Sequence, residues 1–159
     1  MTAQQPDTAS RKRLLAIASS GGHWTELARL SNAFDDLDVL YATTVQGLQV
    51  PSGSRPLHVI RDVSRSRPLA MLPLALQLLA LLRRFRPHLI VTTGAAPGLL
   101  AIMLGRLTGS KSVWIDSIAN AETLSLSGQL ARRWASVRLT QWPALADPRS
   151  GVVYLGRVL

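Results

Sequence analysis

Seven short apolar runs punctuate this chain, at 14–19, 37–42, 57–60, 89–92, 112–115, 137–140 and 152–155. Each is continuous rather than alternating, the pattern of a strand buried on both faces. Helix-like stretches separate them, at 24–34, 68–85, 98–108 and 126–135. This repeated order predicts an α/β domain with a mostly parallel sheet. In such a fold ligands sit outside the carboxyl ends of the strands, beside helix N-termini. The loops that matter are therefore 19–23, 43–56, 61–67, 92–97 and 116–125. Residues 1–12 read as a flexible polar tail and 13–159 as one domain, with no internal repeat.

At 159 residues, 47% of them apolar, the chain can bury a core of ordinary size. A charged fraction of only 17% excludes a disordered chain. Cysteine is absent and histidine occurs only at 23, 58 and 88, so neither a thiolate nor a metal centre is expected, and no cofactor is implied. The net charge of +9 is uneven: residues 1–54 hold four basic and five acidic side chains, residues 55–159 fourteen and four. Such a field suits a polyanion: a nucleic acid, an anionic lipid surface or a phosphorylated substrate. The chain carries no RNP aromatics, GXXG loop or zinc pattern, which leaves a basic nucleic-acid-binding module without enzymatic activity as the second reading. After Arg11-Lys12-Arg13 the apolar run Leu14–Ala18 has five residues, too short for the roughly 7–15 of a secretory signal. A cytoplasmic protein is expected.

The segment 68–86 is apolar from Leu69 to Leu82 except at Pro73 and Gln77. Fourteen helical residues span about 21 Å, short of the roughly 30 Å hydrocarbon core. Two readings stand: a helix buried under its own sheet and a neighbour, or an interfacial helix with Arg83, Arg84 and Arg86 meeting anionic lipid. On the second, Leu78 and Leu82 are the residues whose change to glutamate would weaken membrane binding.

Four loops could carry chemistry. Ser19-Ser20-Gly21-Gly22-His23 follows the first run and opens a helix, where glycines allow close approach and unpaired N–H groups face an anion; neither a GxGxxG nor a P-loop pattern is present. Thr92-Thr93-Gly94…Pro97-Gly98 makes a second such turn. Asp116-Ser117, at the end of the fifth run, could bind a hydroxyl or cap a turn. Gln141-Trp142-Pro143 closes the sixth run and could pack the sheet or meet a partner.

In this order, with Leu124-Ser125-Leu126-Ser127-Gly128 and the terminal Tyr154-Leu155-Gly156, these segments resemble the membrane-associating subunit of the two-component UDP-N-acetylglucosamine transferase of lipid-linked oligosaccharide synthesis and its bacterial exopolysaccharide and capsule relatives. The resemblance implies a Rossmann-like parallel sheet with helices on both faces, the N-terminal, acceptor-side half of a GT-B glycosyltransferase. A separate catalytic subunit would bind the UDP-sugar, and the acceptor would be a polyprenyl-diphosphate-linked sugar at the cytoplasmic membrane face. Eukaryotic members carry a transmembrane anchor that residues 1–12 do not resemble, so a peripheral attachment to an anionic membrane is expected. His23 is then the candidate base, Gly21, Gly22, Gly94, Asp116 and Ser117 line the acceptor loops, and Arg61, Arg65, Arg67, Arg83 and Arg84 meet phosphate or lipid headgroups. Gln141 and Trp142 face the partner. No nucleic acid and no metal enter this reading. Many family members have Glu where Asp116 stands, so any carboxylate contact would have a shorter reach here.

Overall fold

The computed structural model describes residues 11–51, 53–63 and 70–158. Most of the polar tail, Arg65, Arg67 and the predicted helix start at Pro68 lie outside the described residues. Seven strands form one sheet: β1 (Arg13–Ile17), β2 (Asp38–Thr43), β3 (Leu57–Val59), β4 (Leu89–Thr92), β5 (Lys111–Ile115), β6 (Val137–Thr140) and β7 (Val152–Tyr154). Their order is β3-β2-β1-β4-β5-β6-β7 and every neighbouring pair is parallel. The four helices are α1 (Gly22–Arg29), α2 (Met71–Phe85), α3 (Ala95–Leu107) and α4 (Leu126–Leu130). All seven predicted strands and four predicted helices are present. The first and last helices are shorter than their apolar patterns because each finishes as a 3₁₀ turn, Ser31–Phe34 and Ala131–Arg133.

The strand alternation sorts the core into two layers. Leu15 and Ile17 of β1 pack with Leu74, Leu78, Ile102 and Trp114 beneath α2, α3 and α4. Leu14, Ala16 and Ala18 pack with Trp24, Leu27 and Tyr41 beneath α1. Arg13 is only half-buried, but Leu14 to Ala18, from β1 into the loop that follows it, are all fully buried, which explains why the run reads as continuous rather than alternating. Gly98 and Gly105 let α3 lie close on β4: a Cβ at Gly98 would collide with Thr92, and one at Gly105 with Ile90.

α2 is half of each expectation. Leu74, Leu78, Leu81 and Leu82 face the sheet, whereas Leu72 is 66% and Leu76 60% exposed. Leu78 and Leu82 are thus core residues, and glutamate there would break the fold rather than report on lipid. The helix tolerates Pro73 because its first turn needs no N–H from that position. It ends at Arg86, in the left-handed region at φ 51, whose N–H returns to the Leu82 carbonyl, and Pro87 prevents continuation. Among the described residues no helix is long and apolar enough to cross a membrane.

Candidate functional site

Because all seven strands run parallel, their carboxyl ends share one edge. The chain moves outward from β1 to β3, then returns to β4 and proceeds to β7. The switch point therefore lies between β1 and β4, where a crevice opens for ligands. α1 and α3 both start there, capped by Gly21 at φ 78 and Gly94 at φ 137, with no side-chain cap and no acidic residue in either first turn. Their first-turn N–H groups, which a helix cannot use internally, are left for an anion.

His23 stands between these two helix starts. Its Nδ1 lies 2.9 Å from the Thr93 carbonyl, and the Thr93 hydroxyl donates to the His23 carbonyl at 2.6 Å. A carbonyl oxygen only accepts, so the proton of the neutral ring sits on Nδ1 and the lone pair on Nε2. Nε2 makes no hydrogen bond among the described residues. The ring rests against Gly94, where an added Cβ would come within 2.6 Å of Cε1. Gly94 is thus required twice, for its backbone angle and for the space the imidazole occupies. Gly21 and Gly22 have open space where a side chain would be, so the loop can be approached closely.

The loop after β5 is built differently from expectation. Asp116 is 2% exposed, and its carboxylate accepts from the Trp114 indole, the Ser125 N–H and the Ser125 hydroxyl at 2.6–3.0 Å. Ser125 in turn caps α4 through the Gly128 N–H. Asp116 is thereby turned inward and fixes the loop after β5. Ser117 is buried as well, its hydroxyl donating to Glu26 at 2.7 Å. Gln141 is 1% exposed and its amide is engaged inside the chain, so it lies beneath any partner surface rather than on it. Trp142 stays partly exposed, its indole bonded to the Ile118 carbonyl and its ring covered by Arg157 at 4.6 Å.

Glu26, one helical turn beyond His23, is the buried group that sequence reasoning did not single out. A glutamate beside Trp24 and Leu27 looks like the solvated side of a short helix, and only the carboxylate's distant partners reveal otherwise. Behind the loops, Arg138 is buried and binds the Gly128 and Ser150 carbonyls. Burial pulls its guanidinium below the usual range, Arg132 adds to this, and Asp116 opposes it.

The predicted arginines do not form one cluster. Arg61 follows β3 at the carboxyl edge and is exposed, its N–H held by Gln77. Arg83 and Arg84 end α2 at the opposite edge, about 20 Å from the start of the helix. Sizeable surface hollows also lie away from the switch point. One of about 650 Å³ separates β3 from α2, and others at the amino-terminal edge are lined by Arg13, Arg83 and Arg86. Among the described residues no group of three His, Asp or Glu side chains could hold a metal ion.

Residues 55–158 match the family described as oligosaccharide biosynthesis protein Alg14 like. The mouse UDP-N-acetylglucosamine transferase subunit ALG14 is 31% identical over 92% of this chain and 83% of its own length, and the human protein of that name 29% over 92% and 82%. Among solved structures, MurG of Acinetobacter baumannii superimposes with a TM-score of 0.72 at 14% identity, covering 90% of this chain and 45% of MurG. A UDP-N-acetylglucosamine 2-epimerase of Rickettsia bellii gives 0.68 at 9% identity, covering 93% of this chain and 45% of the epimerase. The chain thus has a Rossmann-like fold of the kind found in GT-B glycosyltransferases, and spans about half the length of those structures. With the family model matching well over half of its length, the chain belongs to the Alg14-like family of oligosaccharide biosynthesis proteins.

Proposed function

We propose that this chain is the acceptor-side subunit of a heteromeric glycosyltransferase that moves a sugar, N-acetylglucosamine or a close relative, from its UDP derivative to a polyprenyl-diphosphate-linked acceptor. The observation that carries this reading is the His23 imidazole, held through Nδ1 by Thr93 with Nε2 free at the switch point. Family membership and the mouse and human subunits of a UDP-N-acetylglucosamine transferase supply the reaction class. A second polypeptide that binds the nucleotide sugar would complete the site, as the naming of the mouse and human relatives as transferase subunits suggests.

In the reaction, the acceptor hydroxyl gives its proton to His23 Nε2 as its oxygen attacks the anomeric carbon. The bond from that carbon to the UDP oxygen breaks, and its electron pair leaves with the diphosphate. A base positioned this way contributes about 10²–10⁴ in rate. The uncapped starts of α1 and α3 suit the acceptor's own diphosphate, and Arg61 stands at the same edge. The roles of Arg65 and Arg67 remain part of this proposal.

The membrane face is the outer surface of α2, α3 and α4. Leu72 and Leu76 on α2 and Leu126 and Leu130 on α4 are exposed, with the half-buried Leu99, Leu100 and Met103 of α3 between them. An apolar face of this kind bordered by arginines suits peripheral attachment to anionic lipid on the cytoplasmic side. The test is reconstitution with the partner on vesicles containing a polyprenyl-diphosphate sugar. Transfer from the UDP-sugar that is lost in His23→Ala supports the reading; undiminished transfer by His23→Ala removes the base from this chain.

A further inference from the structure

Glu26 is 5% exposed, and among the described residues it has no cation within ion-pair distance, the one such pair being Arg55 with Asp35. An ionised carboxylate in such a place is tolerated only if its oxygens are filled. They are: Oε1 accepts from the Ser117 hydroxyl at 2.7 Å and the Ile118 N–H at 3.3 Å, and Oε2 from the Gln141 amide at 2.9 Å. Gln141 also donates to the Asp116 carbonyl and accepts from the Val158 N–H. One carboxylate therefore joins α1, the loop after β5, the end of β6 and the segment after β7. In the strand order β5 and β6 lie two and three places from β1, with β4 between them, so the tie joins α1 to strands that are not neighbours of its own. His23 lies one turn earlier on the same helix, and its other anchor, Thr93, immediately follows β4, the strand in between.

Resting on the acceptor-side reading above, we propose that Glu26 is a positioning residue: by tying α1 to Ser117, Ile118 and Gln141 it holds the His23 imidazole at a fixed angle to the crevice. The carboxylate is needed as such because all three partners are donors. In Glu26→Gln the new amide can turn its oxygen to Ser117 and Ile118 only by pointing its NH₂ at the Gln141 NH₂, so one side of the tie is replaced by a donor facing a donor. α1 keeps its packing through Trp24 and Leu27 but loses one mooring.

Two readouts test this. The first uses the chain alone: imidazole ¹⁵N shifts of His23 should show one tautomer, protonated at Nδ1, in the wild type, and a mixture in Glu26→Gln. An unchanged pattern overturns the proposal whether or not the chain takes part in sugar transfer. The second uses the reconstituted pair. Glu26→Gln should lower kcat roughly 10–100-fold, as small misplacements of a reacting group do, leave the KM for the UDP-sugar within about twofold, and leave the pH midpoint of kcat in place. In a His23→Ala background the same change should cost nothing further, since it acts through that residue. A full wild-type kcat, an equal further loss on His23→Ala, or a displaced pH midpoint each overturns the proposal. Should Glu26→Gln fail to fold, Ser117→Ala removes one donor to Glu26, along with the acceptor of the Ala119 N–H, and should lower kcat in the same direction by less; a wild-type rate there overturns it too. A wild-type pair that transfers no sugar while the tautomer result stands would sink the functional reading and spare this one.

Discussion

The two edges of the sheet both look made for anions, and they are built in opposite ways. At the carboxyl edge α1 and α3 begin without side-chain caps, beside glycines and one oriented imidazole. At the amino edge α2 ends among Arg13, Arg83, Arg84 and Arg86. There the Arg13 guanidinium donates to the Arg86 carbonyl and that of Arg86 to the Arg83 carbonyl. Those arginines answer the negative end of a helix; the carboxyl edge offers two positive helix ends without side-chain caps or first-turn acidic residues. Net charge counts the arginines and misses the helix ends.

The strongest way to break this contrast is to remove the second polypeptide. On the proposed reading the chain supplies one wall of the cleft, so a UDP-sugar and a polyprenyl-diphosphate acceptor should give no transfer until the partner is added. Turnover by the purified chain would mean that a complete site exists elsewhere on it. With the pair assembled, His23→Ala should cost about 10²–10⁴ in kcat while leaving complex formation intact by gel filtration. His23→Gln, which can still bond to Thr93 but cannot accept a proton in the same way, should be nearly as slow. A near-normal His23→Gln would reduce the histidine to a brace and move the base to the partner.

Gly94→Ala sharpens the same edge from the other side. Its φ of 137 is one that alanine avoids, and its Cβ would stand 2.6 Å from the His23 ring. Strain of this kind costs about 1–3 kcal/mol, and the displaced ring should lower kcat by about 10². Thermal unfolding and kinetics together read both losses. A variant that is less stable yet fully active would show that the ring can sit elsewhere without harm.

Much of this was legible beforehand, for a reason visible in β1. Five consecutive side chains buried on both faces leave an unbroken apolar run, and seven such runs separated by helical stretches leave little choice of fold. The glycine turns were legible too, because small residues at the end of a strand have few other uses. The roles of Asp116 and Gln141 were not. A carboxylate at the end of a strand looks alike whether it faces solvent or turns inward, and the donors that claim it, Trp114 and Ser125, become neighbours only through the loop. Glu26 escaped for the same reason: its partners lie more than ninety residues away. The facing of α2 was also hidden, since a helix apolar all round does not say which leucines the sheet takes.

That last ambiguity sets the smallest expected effect, and α2 joins the two edges. Its exposed leucines, 72 and 76, lie toward the carboxyl edge and its arginines, 83 and 84, at the amino edge. If the helix lies flat on a bilayer, both ends should contribute to vesicle binding, in different ways. Each arginine near an anionic leaflet is worth about 1 kcal/mol, or roughly fivefold in partitioning, and that share should vanish at high salt. Arg83→Gln with Arg84→Gln should therefore weaken binding to anionic vesicles at low salt only. Leu72→Glu with Leu76→Glu should weaken it at every salt concentration, because apolar burial is not screened. Neither pair touches the core, so unfolding temperatures should hold within a few degrees, unlike those of Leu78→Glu. Loss with the leucine pair alone would tilt the helix so that only the carboxyl edge meets the membrane. That geometry would bring His23 nearer a membrane-bound acceptor and leave the amino-edge arginines to their helix end.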